Sequence, residues 1–292
     1  MLLSVLAALA TLNFAESTQC DPSSYHQPAA AHSAVELPLL AGHTRSVVEP
    51  FQFAVVAPES RMYTPSLPGW HGTISAAAIV TPALGARFAM YLVNASAGAS
   101  STDGTLYEGA PSGLERFLYV LHGTVFVKEE SQGERRLEYG GFVYYAPGEK
   151  MNTFVGDEGS SFVLIDQVYA GAFKPVSVIG NEAEAGTEFV PGEVFKLRRL
   201  LNGSDPGYDF NIHIMDFAPG EYMNVKEVHY NQHGLLMLRG HGIYLLGERF
   251  FPVATGDALY MAPFVPQWFG ALGPTSARYF LYKDVNTNPL LH

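Results

Sequence analysis

Short, largely apolar runs with an alternating pattern recur along the chain, and they recur in pairs. FAMYLVNASAG runs from Phe88 to Gly98, and FNIHIMDFAPG runs from Phe210 to Gly220, each Phe and Gly ten apart. Alternation of this kind over eight or so residues predicts strands with one face buried. Leu118–Leu121 leads to Gly123 and then to a second strand, Thr124–Lys128. Its counterpart is Leu235–Leu238, Gly240 and then Ile243–Leu246. A third pair, GGFVYYAPGEKMNTFV and TGDALYMAPFVPQWFGA, is opened by Gly141 and Gly256 and closed by Pro147 and Pro263. The same order at matching spacing is an internal duplication of a small antiparallel β-unit. The fold class expected is all-β, as a sandwich or barrel.

These boundaries divide the chain into a leader over 1–20, an N-terminal arm over 21–75, a first unit over 76–172, a linker over 173–207 and a second unit over 208–292. The linker is marked by Pro175, Gly180, Gly186, Pro191, Gly192 and Gly207. Within it, periodicity leaves Val194–Leu201 open between a short helix and a strand. The length of 292 residues fits two domains.

Charge narrows the partners. The formal net charge is -11 and no Lys/Arg cluster appears, which argues against a nucleic-acid partner. No basic amphipathic stretch suits a membrane surface. The apolar run from Met1 to about Ala15 is too short to span a bilayer and reads as the core of a secretory signal peptide. Cys20 is the only cysteine, so an intrachain disulfide and a thiolate metal site are both excluded.

The segment from Gly220 to Gly240 carries the chemistry. Glu227 and His229 are two apart, which in a strand puts both on one face. His233 follows after Tyr230-Asn231-Gln232. Carboxylate and imidazole donors suit Mn, Fe, Zn, Ni or Co. The spacing resembles cupin motif 1, G-x5-H-x-H-x3-4-E-x6-G, with one extra residue after Gly220. Glu227 and His229 stand at its two His positions, His233 at its Glu and Gly240 at its last Gly. Motif 2, G-x5-P-x-G-x2-H-x3-N, starts at Gly256, with Ala262 for Pro, Phe264 for Gly and Gln267 for His. The resemblance therefore implies a bicupin, two tandem double-stranded β-helix (jelly-roll) barrels with an N-terminal arm. Its metal set would be Glu227, His229, His233 and Gln267, with harder donors than usual, which favours Mn2+. The first unit has Glu115-Arg116-Phe117 at the ligand positions and Asn152 at the motif 2 His, with no H-x-H. It is expected to be metal-free and structural, with His122 a strand-end residue.

At family level the run from Tyr208 to Gly247, with MAPFVPQWFGALG and RYFLYKDVNTNPL, resembles the (S)-ureidoglycine aminohydrolases of purine-ureide degradation. The likeness starts at about Leu37 and is strongest over 191–290. It implies a hydrolase releasing ammonia from (S)-ureidoglycine to leave (S)-ureidoglycolate, with one Mn2+ per chain. It carries the ligand roles onto Glu227, His229, His233 and Gln267, and substrate contacts onto Glu227, Gln267, Tyr244, Tyr279 and Lys283. Glu227 and Lys283 are the expected catalytic groups. Residence in the endoplasmic reticulum lumen and a homo-oligomer built on dimers, up to an octamer, are implied as well. Two other classes compete: a cupin oxidase or dioxygenase, which would consume oxygen, and a storage or ligand-binding bicupin without catalysis.

Overall fold

The structure, a computed structural model, describes residues 44–101, 113–129, 133–149 and 152–286. The leader and Cys20 lie outside the described residues. The strands are β1 (Val47–Glu49), β2 (Phe53–Val56), β3 (Ile74–Val80), β4 (Phe88–Ala95), β5 (Ser100–Ser101), β6 (Leu114–Glu129), β7 (Gly133–Leu137), β8 (Gly141–Tyr145), β9 (Thr153–Val168), β10 (Val178–Asn181), β11 (Thr187–Phe189), β12 (Lys196–Arg199), β13 (Phe210–Phe217), β14 (His233–Arg239), β15 (His241–Leu246), β16 (Arg249–Ala254), β17 (Ala258–Met261), β18 (Gln267–Leu272) and β19 (Ala277–Asp284). No helix among the described residues is long and apolar enough to cross a membrane.

Three sheets result. One runs β10-β8-β6-β9-β4-β3, with β5 added on β9 and β7 on β6. A second runs β1-β2-β17-β14-β19-β13-β12-β11, and β16-β15-β18 form a third. Strands from the arm and linker regions enter these sheets. From the arm, β2 pairs with β17, Val55 opposite Leu259. From the linker, β10 pairs with β8, and β12 pairs with β13. The stretch left open between helix and strand is thus in part the strand β12. Its Leu197 is buried while Lys196 is exposed, the alternation of an extended backbone.

One sequence expectation changes. Leu118–Leu121 and Thr124–Lys128 are a single strand, β6, and not two separated by a turn. Gly123 takes φ 74, and the register with β9 shifts at Val120/His122 and Gly123/Val125. Bulges bend the strand there without ending it. An added Cβ at Gly123 would collide with the Gly159 carbonyl, which leaves only glycine for the close crossing.

Alternation sorts each strand between two cores. In β13, Phe210, Ile212 and Ile214 join Phe117, Tyr119, Val163 and Ile165 in a cluster between the two large sheets. On its other face, Met215 and Phe217 join Leu235, Tyr244, Phe269 and Tyr279 in the cluster between the second and third sheets. Burial on both faces explains why these strands read as almost unbroken apolar runs. Aromatic contacts bind the large sheets together: Phe88 stacks on Tyr282 at 3.9 Å, and Tyr119 meets Phe280 at 5.2 Å. Polar links cross the same boundary. Arg278 Nη1 donates to Glu182 Oε1 at 2.8 Å, and Tyr119 OH donates to Glu182 Oε2 at 2.8 Å.

Candidate metal centre and its polar wall

Glu227 and His229 were expected on a regular strand. They instead sit in an irregular segment that touches β18 at two isolated bridges, Tyr222 opposite Gly270 and Glu227 opposite Gln267. The reason is local. Two backbone bonds, Glu227 N to Gln267 O and Gln267 N to Glu227 O, both 2.9 Å, close the latter bridge. The next anchor is Phe264 N donating to His229 O at 2.8 Å. Phe264 stands at the glycine position of motif 2 and adopts φ 65, the left-handed conformation that a glycine takes without strain. Beyond His229, the chain is pinned by Asp284. Asn231 Nδ2 donates to Asp284 O at 2.5 Å, and Gln232 N donates to Asp284 Oδ1 at 2.6 Å. His233 is thereby delivered to the first position of β14.

Four side chains converge. Glu227 Oε2 lies 3.4 Å from His229 Nε2. Gln267 Nε2 lies 3.2 Å from His229 Nε2 and 3.5 Å from His233 Nδ1. Donors adjacent on one six-coordinate ion, each at about 2.1 Å, stand about 3 Å apart, so separations of 3.2 to 3.5 Å suit a shared cation. No three His, Cys, Asp or Glu side chains among the described residues form such a group by themselves. Counting the Gln267 amide links His233 to the Glu227–His229 pair. For ligation the amide must turn so that Oε1, which accepts from Tyr244 OH at 3.4 Å, faces the imidazoles. His229 Nδ1 is buried without a hydrogen-bond partner among the described residues. The donor set of carboxylate, two imidazoles and amide fits a divalent first-row ion or Mn2+.

Charge in the site is arranged around this cluster. Burial works to raise the Glu227 carboxyl, but the His229 hydrogen bond and the Lys283 charge outweigh it and hold it below the usual range. Burial, with Lys283, His229 and His213 nearby, keeps His233 well below the ordinary imidazole value. Both ligands therefore stand in the forms that bind cations, carboxylate and neutral imidazole. Lys283 lies directly opposite His233 in the β14–β19 register. Burial pulls its ammonium down, Glu227 and Asp284 act against that, and Arg199 reinforces it. Tyr279 shares that face of β19 two pairs away, opposite Met237. Phe269 packs against both phenols, 5.4 Å from the Tyr279 ring and 5.6 Å from the Tyr244 ring, and Tyr279 feels the charge of Tyr244 and Glu227. Burial raises both phenols above their ordinary value, Glu227 adding to it, so both remain hydrogen-bond donors.

Three further polar residues line the same face and were not singled out from sequence. Asn211 lies opposite Lys283, and His213 lies one pair deeper, opposite Leu281. Arg199 is opposite His213, with its Nη1 3.3 Å from His213 Nε2. For Asn211 and His213 the signal was in FNIHIMDF, where they fall in the phase of Met215 and Phe217; Arg199 lies in the separate strand β12. In the first half, Glu115 is fully buried and accepts from Tyr144 OH at 2.7 Å, while Arg116 pairs with Asp166 at 2.9 Å. His122 lies within β6 at the bulge and is exposed. A cavity of about 490 Å3 opens elsewhere, lined by Arg61, Thr64, Leu67, Ala76 and Tyr91 among others. It includes none of the clustered residues.

No family model matches the chain. Its curated relatives include a probable (S)-ureidoglycine aminohydrolase of Oryza sativa subsp. japonica, 46% identical over 254 residues, covering 86% of this chain and 79% of the relative. The (S)-ureidoglycine aminohydrolase of Arabidopsis thaliana is 44% identical over 253 residues, covering 86% and 81%. Among solved structures, protein YlbA of E. coli superposes with a TM-score of 0.71 at 30% identity, covering 84% of this chain and 96% of that one. An oxalate decarboxylase variant of Bacillus subtilis gives 0.61 at 10% identity, covering 89% and 87%. A cupin 2 barrel protein of Leptotrichia buccalis gives 0.51 at 15% identity, covering 72% and 88%. The last two speak for the cupin fold alone.

Proposed function

Because the chain belongs to the (S)-ureidoglycine aminohydrolase family, we propose that this hydrolase converts (S)-ureidoglycine and water to (S)-ureidoglycolate and ammonia. The observation that carries the site assignment is the convergence of Glu227, His229, Gln267 and His233, with Lys283 across from His233. We assign these four side chains to one Mn2+ per chain. When bound, that ion supplies Lewis acidity and a fixed anchor for the substrate.

The chain's own groups have the remaining tasks. The reaction breaks the bond from the central carbon to its amino nitrogen and forms one to a water oxygen. A proton must leave the water and one must reach the departing nitrogen. Lys283, its ammonium weakened by burial, is the group suited to carry it. Tyr244 and Tyr279 keep their protons and donate hydrogen bonds to substrate oxygens. An aminal of this kind loses ammonia unaided, so the protein's contribution is speed and the choice of one face, through orientation. The apolar N-terminal run supports delivery to the endoplasmic reticulum lumen, and assembly is proposed to be homo-oligomeric.

The test is ammonia release from freshly made ureidoglycine, with the metal content of the same sample and the chirality of the product. Stereoselective release by a protein with one Mn2+ per chain is expected. Release at the uncatalysed rate, or oxygen consumption in its place, would overturn the assignment.

A further inference from the structure

The face of β13 that carries Met215 and Phe217 turns polar at Asn211 and His213. Asn211 is 4% exposed and His213 is 7% exposed. Both point toward the metal-ligand cluster's side of the sheet. Their direct cross-strand partners there are Lys283 and Leu281, and pairs directly opposite share a face. A buried polar group without a partner costs about 1–3 kcal/mol, so an unpartnered Asn211 Oδ1 needs a reason.

Each offers one specific function. Asn211 Oδ1 is buried and has no hydrogen-bond partner among the described residues. Its Nδ2 rests against Gly203, which leaves no room for a Cβ at that position. Asn211 thus presents an unused acceptor. His213 presents a donor. Arg199 Nη1 lies 3.3 Å from His213 Nε2, and a guanidinium can only donate. Nε2 must therefore be the lone-pair nitrogen, and the proton of the neutral ring sits on Nδ1. Burial, with Arg199 and Lys283 nearby, drops the imidazole to about 3, so the ring is neutral at working pH.

An acceptor and a donor two residues apart on one strand face are roughly 7 Å apart at Cα. A urea group offers N–H donors on one edge and a carbonyl oxygen on the opposite edge. A carboxylate lacks the donors, and an amino group lacks the acceptor. We infer that Asn211 and His213 form the subsite for the substrate's urea group, Asn211 Oδ1 accepting from its N–H and His213 Nδ1 donating to its oxygen. This rests on the reading of the site as a ureidoglycine hydrolase and names the specificity-determining side chains of that site. Arg199 is a positioning residue, acting through the His213 tautomer.

The test uses two stable probes on the metal-loaded, full-length protein. N-carbamoylglycine keeps the urea, and N-acetylglycine replaces its terminal NH2 with methyl. Binding is read by calorimetry and by inhibition of ammonia release. The wild type should prefer N-carbamoylglycine by about tenfold, the equivalent of about 1.4 kcal/mol. Asn211→Ala should remove the preference while N-acetylglycine binding and one metal per chain persist. Asn211→Asp, which keeps an acceptor and the shape, should retain it and serves if the alanine variant does not fold. His213→Phe should weaken both probes, since both carry the carbonyl. An unchanged preference in a metal-replete Asn211→Ala protein overturns the subsite alone. If the wild type neither binds N-carbamoylglycine nor accelerates ammonia release, the functional reading itself fails and the subsite falls with it.

Discussion

Glu115 is a fully buried carboxyl, and its replacement by Gln should change how stability depends on pH. Its Oε2 accepts from Tyr144 OH at 2.7 Å, and Oε1 has no partner among the described residues. Burial raises it from 4.5 to about 8, the Tyr144 bond opposing and Asp209 adding to the rise. The folded protein therefore holds this proton over a pH range in which the unfolded chain has released it. Stability from this group is complete below pH 4.5 and declines as pH rises toward about 8. At about 1.4 kcal/mol for each pH unit, the loss between pH 5 and pH 7 is about 3 kcal/mol. Glu115→Gln keeps an oxygen for Tyr144 and cannot ionise, so that decline should vanish. The assay is urea unfolding at pH 5, 6, 7 and 8, followed by the fluorescence of Trp70 and Trp268. Taking the difference between variant and wild type cancels the contribution of His213 and His233. Those imidazoles, held low in the fold, lose stability as pH falls below about 6.5. The variant should gain on the wild type steadily from pH 5 to 7. Parallel curves would refute the reasoning, because they would mean Glu115 is ionised in the fold or reaches water.

Other consequences are direct. Lys283→Met should leave one metal per chain and lower kcat by about 10^2-fold or more, measured by ammonia release and elemental analysis. Phe264→Gly should relieve the left-handed strain at φ 65 and, net of glycine's greater unfolded freedom, stabilise by about 0.5–1 kcal/mol in denaturant unfolding. Phe264→Ala, which keeps the strain, should not. Arg45→Ala leaves the buried Asp257 carboxylate without its two-point partner at 2.5 and 2.8 Å and should cost about 2–3 kcal/mol in the same measurement.

The duplicated strands were legible from matched spacing: the runs bracketed by Phe88–Gly98 and Phe210–Gly220 contain the strands Phe88–Ala95 and Phe210–Phe217. Less was legible where pairing partners are distant. Val47–Val56 carries no sign that it will complete the second half's sheet, since that depends on β17 some 200 residues on. The single strand β6 was hidden because Gly123 marks a bulge as readily as a turn. In the site, ligand types at motif spacing singled out Glu227, His229, His233 and Gln267, although the strand geometry assumed for the first pair was wrong. Asn211, His213 and Arg199 were passed over because a polar residue in an apolar strand looks the same whether it faces a core, a site or water. Only the β13–β19 register puts Asn211 beside Lys283.

The measurement that bears most directly on the account is anomalous scattering at the manganese edge from crystals of the Mn2+-loaded protein. One peak per chain is predicted, bounded by Glu227, His229, His233 and the Gln267 amide oxygen at about 2.0–2.3 Å, and absent from Glu227→Ala crystals. A peak held by other residues, or none beside those four side chains in a protein that still hydrolyses ureidoglycine, would contradict it.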